Sequence, residues 1–274
     1  MSYKNMIGLG VAGNFAGHLE QAGEDKDFLA VEVKDAVQPK GIFPFYVPSA
    51  AAGFLSTYPL SDDLIVSPND ADNLQIEPEV ALICDIQYDG HVVTAITPRF
   101  FAAYNDCSIR KPNAKKISEK KNWGEKTKGI SSQLIAVDSL SEGGVLDTYR
   151  IASFHQRDGE IARYGEDSPV IGYSYFHQTL LNWIVERMNN QQDVGPTENI
   201  AQHLANANYP TQAVISIGAT RYTEYGETTF LKSGDTSIVV VYDGNLYSSE
   251  QIMAMADSKV FGTTGLSALI QTVA

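Results

Sequence analysis

Apolar positions follow two rhythms along this chain, and the changes between them mark its elements. On both sides of Asp158-Gly159 bulky apolar residues alternate with polar ones, which predicts a strand pair at Asp147 to Phe154 and Glu160 to Tyr164. Denser apolar runs predict strands at Glu79 to Ile86 and Val92 to Ile96, joined through Tyr88-Asp89-Gly90. Shorter strands follow at Leu134 to Val137, Ala213 to Ile217 and Thr236 to Tyr242. The clearest helical spacing belongs to Phe176, Leu180, Trp183, Ile184, Arg187 and Met188, with Gln178, Asn182 and Glu186 on other faces. It predicts a helix over 176–188 with Trp183 and Met188 as buried anchors. A shorter helix is expected near Phe15 to Gln21, whereas Pro39, Pro44, Pro48 and Pro59 restrict the early region to short extended pieces and turns.

The pattern describes an α+β protein dominated by strands. No repeat or low-complexity linker divides the 274 residues, so one domain is expected, 1–274. Residues 1–75 form an N-terminal subregion of it, and 245–274 a packing tail whose Met253, Met255 and Leu266 to Ile270 cover a core edge or a dimer surface.

Composition changes the picture mainly by exclusion. With 33 acidic and 20 basic side chains the net charge is -13, which opposes contact with nucleic acid or an anionic membrane surface. No apolar stretch reaches the roughly 18 residues of a membrane span, and the opening residues lack the form of a signal peptide. Cys84 and Cys107 are few for a chain of this size, so a reducing, cytoplasmic setting is expected.

Gly8-Leu-Gly-Val-Ala-Gly13 has dinucleotide-loop spacing, but only seven residues precede it and no alternating βαβ pattern follows. A tight turn that brings another site element into place is the expectation. Glu77 and Glu79 stand two apart at a strand start, where both side chains point to one face. They either converge on a cation or form a solvated strand end. Asp106, in Asn105-Asp-Cys-Ser-Ile-Arg110, is a third acid, and a hard divalent cation relieves the repulsion among three clustered carboxylates. Magnesium is the first choice, with manganese or calcium as alternatives.

Between Arg110 and Lys128 eight basic residues face two acidic ones. This segment is either a solvated loop or a receiver for an anionic substrate. Lys128 is set apart because Gly129 and an apolar strand follow it, which aims it into a pocket, while Lys120 is expected on the solvated face. The five histidines show no zinc spacing, and Cys107 has no histidine within ten residues, so a buried structural thiol is the reading there.

In order, these motifs resemble the fumarylacetoacetate hydrolase superfamily, as an outlying bacterial-type branch. Gly10-Val-Ala-Gly-Asn14-Phe15-Ala-Gly-His18 resembles its Gly-x-Asn-Tyr-x-x-His segment, with the proline-rich Phe43-Pro-Phe-Tyr-Val-Pro-Ser49 after it. Glu77-Pro-Glu79-Val-Ala-Leu82 is similar to its Glu-x-Glu strand, and Asn105-Asp106-Cys107-Ser108-Ile109-Arg110 to its Asn-Asp-x-Ser-x-Arg motif. Trp123 and Lys128-Gly129 stand where a tryptophan and the active-site lysine are expected. Gly218-Ala219-Thr220 and Leu231-Lys-Ser-Gly-Asp235 resemble the Gly-Thr-Pro and Leu-x-x-Gly-Asp regions.

The resemblance implies a mixed β-roll, with residues 1–75 holding a lid candidate, and usually a homodimer. It implies a divalent metal on Glu77, Glu79 and Asp106, Lys128, His18 and Arg110 in catalysis, and Asn105, Ser108 and Thr220 at the substrate. The implied activity is magnesium-dependent hydrolysis of a C–C bond in a small anionic oxo or diketo acid. Decarboxylation, keto-enol isomerisation and non-catalytic ligand binding are the alternatives. Two departures bear on this: many relatives carry glutamate three residues after the histidine, where this chain has Gln21, and Ala219-Thr220 replaces Thr-Pro. Glu20 and Glu24 lie nearby but are expected in other helical directions.

Overall fold

The computed structural model describes residues 2–28, 35, 37–68, 73–110 and 114–274. The remaining positions, including Lys111 of the basic segment and parts of the expected 1–75 subregion, lie outside the described residues. In chain order the strands are β1 (Ile7–Ala12), β2 (Gly41–Tyr46), β3 (Leu60–Ser61), β4 (Leu64–Ile65), β5 (Leu74–Gln75), β6 (Pro78–Asp89), β7 (Val92–Asn105), β8 (Ser108–Ile109), β9 (Lys128–Ile130), β10 (Ile135–Ala136), β11 (Tyr149–Arg157), β12 (Glu160–Pro169), β13 (Gln212–Ser216), β14 (Thr236–Asp243) and β15 (Leu266–Val273). The helices are α1 (His18–Gln21), α2 (His177–Asn190), α3 (Ile200–Asn206), α4 (Glu224–Thr228) and α5 (Ser249–Ser258).

The α+β, strand-dominated character expected from the pattern is what the fold has. One mixed sheet runs β2-β1-β13-β6-β7-β9-β3, with β10 also on β7; a second runs β12-β11-β14-β15-β4, and β5 pairs with β8. The hairpin of β6 and β7 organises the first sheet. Its apolar run is continuous because both faces are covered. Val80, Leu82, Cys84 and Ile86 enter a core shared with Ile151, Val239 and Leu269 of the second sheet and with Leu180, Ile184 and Met188 of α2. Ala81 and Ile83 face the opposite way, into a cluster with Phe43, Phe45 and Tyr104.

Three local expectations change. The second strand of the hairpin does not stop at Ile96. It continues to Asn105 because a register shift between Ile83 and Cys84 accommodates Pro98 without ending the pairing. The glycine-spaced opening is not a turn but β1, with Gly8 and Gly10 in the strand because the rings of Phe45 and Phe43 lie where a Cβ would stand, 2.3 Å from its position in each case. The segment after Gly244 is also more than a cover: β15 pairs with both β14 and β4, while α5 closes the outer face of the second sheet through Ile252 and Ala256. Among the described residues no helix is long and apolar enough to cross a membrane.

Candidate active site

The β6–β7 register builds the acidic centre. Pro78 pairs with Asn105 and Glu79 with Tyr104, and the Asp106 N–H extends the ladder by donating to the Glu77 carbonyl at 2.9 Å. Alternation therefore sends Glu77, Glu79, Tyr104 and Asp106 to one face, away from the core shared by the two sheets. Oxygens of Glu77, Glu79 and Asp106 lie within 4.8 Å of one another, and all three side chains are buried. The solvated strand end is thus excluded. Gly218 holds the third member in place: its backbone, at φ +118, aims an N–H at Glu79 Oε2, 2.8 Å away.

Three cations contact this centre, and a fourth, Lys120, stands beside it on Glu24. Lys121 Nζ lies 2.6 Å from Glu77 Oε2 and 2.7 Å from Asp106 Oδ2, and Lys128 Nζ lies 3.3 Å from Asp106 Oδ1. Arg110 reaches Glu77 at 2.7 Å and Glu24 at 2.8 Å, and Lys120 reaches Glu24 at 3.3 Å. Burial pushes the Glu77 carboxyl up, but Lys121 and Arg110 outweigh it and hold Glu77 well below the usual range. Glu79 moves strongly the other way, through burial and the neighbouring negative charges of Asp106 and Glu77. Asp106 is also raised, because burial exceeds the pull of Lys121 and Lys128.

Several side chains have surroundings that the sequence did not foretell. Lys120 is not on a solvated face: it and Lys121 are buried, because the 3-10 turn Ile117–Lys120 directs them inward toward Glu24, Glu77 and Asp106. Lys128, opposite Asp106 by continuation of the β7–β9 register, sits behind that carboxylate. It donates to the Cys107 carbonyl and lies 5.0 Å from the centre of the Trp123 ring. Arg110 is engaged by Gln75, Glu24, Glu77 and the Tyr222 hydroxyl.

Asn105 is spent inside the protein as well, accepting the Glu77 N–H at 3.1 Å and donating to Ser237 and Gln271. Ser108 donates to the Asp106 carbonyl and accepts from Lys121, both at 2.7 Å. The Thr220 hydroxyl is buried without a hydrogen-bond partner. Both cysteines are free and buried.

His18, on α1, is buried, and burial lowers its pKa to about 4, so its imidazole is neutral near pH 7. Its Nδ1 has no hydrogen-bond partner. Gln21 exchanges hydrogen bonds with the Tyr222 backbone at 3.1 and 2.9 Å and pins α1 to the 219–223 loop. Glu24 was expected in another helical direction. Because α1 ends after a single turn, the chain folds back, with the Glu24 N–H on the Leu19 carbonyl, and the carboxylate enters the site. Glu24, Lys121 and Tyr222 were missed because one polar residue in an irregular segment carries no periodic signal. A cavity of about 20 Å³ remains among His18, Glu24, Glu77, Glu79, Asp106 and Lys121. That is water-sized. A larger cavity of about 310 Å³, bounded by Tyr58, Asp62 and Ile130 among others, has none of the three carboxylates in its wall.

The turn that carries Lys120 and Lys121 is held by Ser118, whose hydroxyl donates to Glu198 at 2.8 Å. Burial pushes the Glu198 carboxyl up to about 7. A folded pKa above the unfolded value means the folded protein holds that proton more tightly. The associated stabilisation is complete below the unfolded pKa and is lost as pH rises through about 7. Glu198→Gln, which cannot ionise, is expected to raise Tm over the parent at about pH 8.5 and to leave it nearly unchanged at about pH 5. Thermal unfolding at both pH values checks this, and equal shifts at the two would refute it.

Comparison with solved structures shows the same fold elsewhere. A candidate fumarylacetoacetate isomerase/hydrolase from Oleispira antarctica matches with a TM-score of 0.55 at 12% identity, over 98% of this chain and 93% of its own. The protein Cg1458, crystallised with an inhibitor, matches with a TM-score of 0.51 at 14% identity, over 97% of this chain and 76% of its own. At these identities the likeness establishes a shared fold, the mixed β-roll of fumarylacetoacetate hydrolase type. No curated protein matches the sequence. The family described as "Family of unknown function (DUF5718)" matches residues 24–273, from Glu24 of the site to the last residue of β15, and the chain belongs to that family.

Proposed function

We propose that this protein is a metal-dependent enzyme that hydrolyses a C–C bond in a small anionic diketo or oxo acid. The observation that carries the reading is the buried convergence of Glu77, Glu79 and Asp106 within 4.8 Å, beside a neutral histidine with an unpartnered nitrogen. The donor set suits a hard divalent cation, for which magnesium is the first choice: three carboxylates supply oxygen ligands, and Glu79 is raised by burial next to like charges that such an ion would offset. When bound, the ion supplies Lewis-acid polarisation of substrate carbonyl oxygens.

The chain's own groups do the rest. Asn105 and Arg110 hold Glu77, Gly218 holds Glu79, and Lys128 holds Asp106 from behind. His18 Nδ1 takes the proton of an attacking water as the water oxygen bonds to the acyl carbon. The C–C bond then breaks with its electron pair on the departing carbon, which receives the proton back from His18. The products are a carboxylic acid and a smaller oxo acid. With a water-sized cavity, substrate entry requires displacement of the side chains of α1 or of Lys121.

One observation favours a second reading. Gln21 is spent on the Tyr222 backbone and Glu24 on Arg110 and Lys120, so neither orients His18 toward a water. Decarboxylation or keto-enol isomerisation needs no attacking water. Acylpyruvates and oxaloacetate, supplied with magnesium or manganese and followed by NMR of the products, separate the readings. Two acids per turnover are expected. Carbon dioxide or tautomer exchange without cleavage would move the assignment to the second reading, and a retained anion without turnover would mark a binding protein.

A further inference from the structure

The three carboxylates already face a cation of the protein's own. Lys121 Nζ has three hydrogens and three oxygen partners: Glu77 Oε2 at 2.6 Å, Asp106 Oδ2 at 2.7 Å and Ser108 Oγ at 2.7 Å. Two of these three oxygens belong to side chains that the metal reading uses as ligands. The third is prepared for the lysine, because Ser108 spends its own proton on the Asp106 carbonyl and presents a lone pair.

The stem is as constrained as the head. The Lys121 N–H bonds to the Ser118 carbonyl at 3.0 Å, and Lys121 Nζ lies 5.2 Å from the centre of the Phe43 ring. The next residue, Asn122, is clamped on the Phe45 and Thr57 carbonyls, each at 2.9 Å. This is a built position for a buried ammonium rather than a surface lysine that has swung inward.

Charge gives the arrangement its meaning. Glu24, Glu77 and Asp106 each contact two of the cations Arg110, Lys120, Lys121 and Lys128, so positive charge already offsets these carboxylates before any ion arrives, while Glu79 is held by the Gly218 N–H. A divalent ion on the same oxygens meets an ammonium already in ion-pair contact with two of them, and the two positive centres repel strongly in a buried setting.

We propose that Lys121 is a resident cation that a divalent ion must displace from Glu77 and Asp106, so that this lysine sets the metal affinity of the centre. The inference rests on the metal reading above. Displacement also frees the wall of the cavity that Lys121 lines. Metal entry and the opening of space for a substrate are then one event.

Manganese is the probe, because the electron paramagnetic resonance signal of free Mn²⁺ counts the bound fraction directly. Full-length parent, Lys121→Met and Lys121→Gln are stripped with chelator and titrated at one pH. Lys121→Met is expected to bind Mn²⁺ at least about tenfold more tightly than the parent, since an opposing charge is gone and two ligand oxygens are vacated. Lys120→Met, which removes a neighbouring buried charge without vacating Glu77 or Asp106, is expected to change affinity less than about threefold. Chelator should barely alter the parent's Tm, while the Lys121 variants should unfold early without metal and regain stability with it.

Lys121→Gln keeps hydrogen-bonding capacity without the charge, and serves if the methionine variant does not fold. Parent binding with no gain in either variant overturns the inference and leaves the metal reading standing. Binding in the variants but not in the parent supports it in its strongest form, a lysine that holds the metal's place. Absence of binding in all proteins overturns the inference together with the metal reading.

Discussion

Asp106→Asn is expected to lower stability by about 3–5 kcal/mol and to weaken divalent metal binding at least 100-fold. The substitution is nearly isosteric, so no cavity enters the argument. What changes is charge: Asp106 is fully buried and is the carboxylate shared by Lys121, at 2.7 Å, and Lys128, at 3.3 Å. Without it two buried ammonium groups lose a common partner. Glu77 still faces Lys121, and the Cys107 carbonyl still accepts from Lys128, which keeps the loss within the range for one broken buried pair. Chemical denaturation in chelator reads the stability and Mn²⁺ titration the affinity. A stability change below about 1 kcal/mol with metal affinity intact would remove Asp106 from the centre.

His18→Gln is expected to reduce turnover by about 10²- to 10⁴-fold, the range for loss of a positioned general base, with folding and metal binding preserved. The imidazole lines the cavity beside the carboxylates, has an unpartnered Nδ1, and is neutral because burial lowers its pKa to about 4. A base must be unprotonated to act. The parent's kcat/KM should therefore be flat through neutral pH and fall only as pH drops to about 4 or below, with that limb absent in the variant. A bound divalent cation shifts the limb further down. Metal titration before kinetics ensures that parent and variant are compared at equal occupancy. Turnover within about threefold of the parent, with the same acid limb, would transfer the base to another group.

The centre was legible to the extent that it rests on strand alternation. Glu77 and Glu79 are two apart, so one face receives both whatever surrounds them, and the motif order placed Asp106 beside them. Asn105 and Arg110 were legible as members of the site, but their protein partners were not. Their types suit a substrate equally well, and only the partners supplied by Ser237, Gln271, Gln75 and Tyr222 turn them inward. The basic segment misled most. Lysines spaced irregularly between Arg110 and Lys128 resemble a solvated loop, and burial of Lys120 and Lys121 depends on carboxylates contributed from residue 24 and from β6 and β7.

By itself the sequence determined what short-range physics controls: the β6–β7 hairpin, the β11–β12 pair, the amphipathic α2 and the shared face of Glu77 and Glu79. Each follows from a period of 2 or 3.6 residues between near neighbours. Tertiary structure alone decided that β1 is a strand packed under two phenylalanine rings, that β15 completes a sheet, and that Glu24 folds back after a one-turn helix. It also decided that Lys121, rather than Lys128, stands at the cavity wall. These outcomes depend on burial and charge balance among segments far apart in the chain, where a lysine's environment is set by which carboxylates reach it and no periodicity records the meeting.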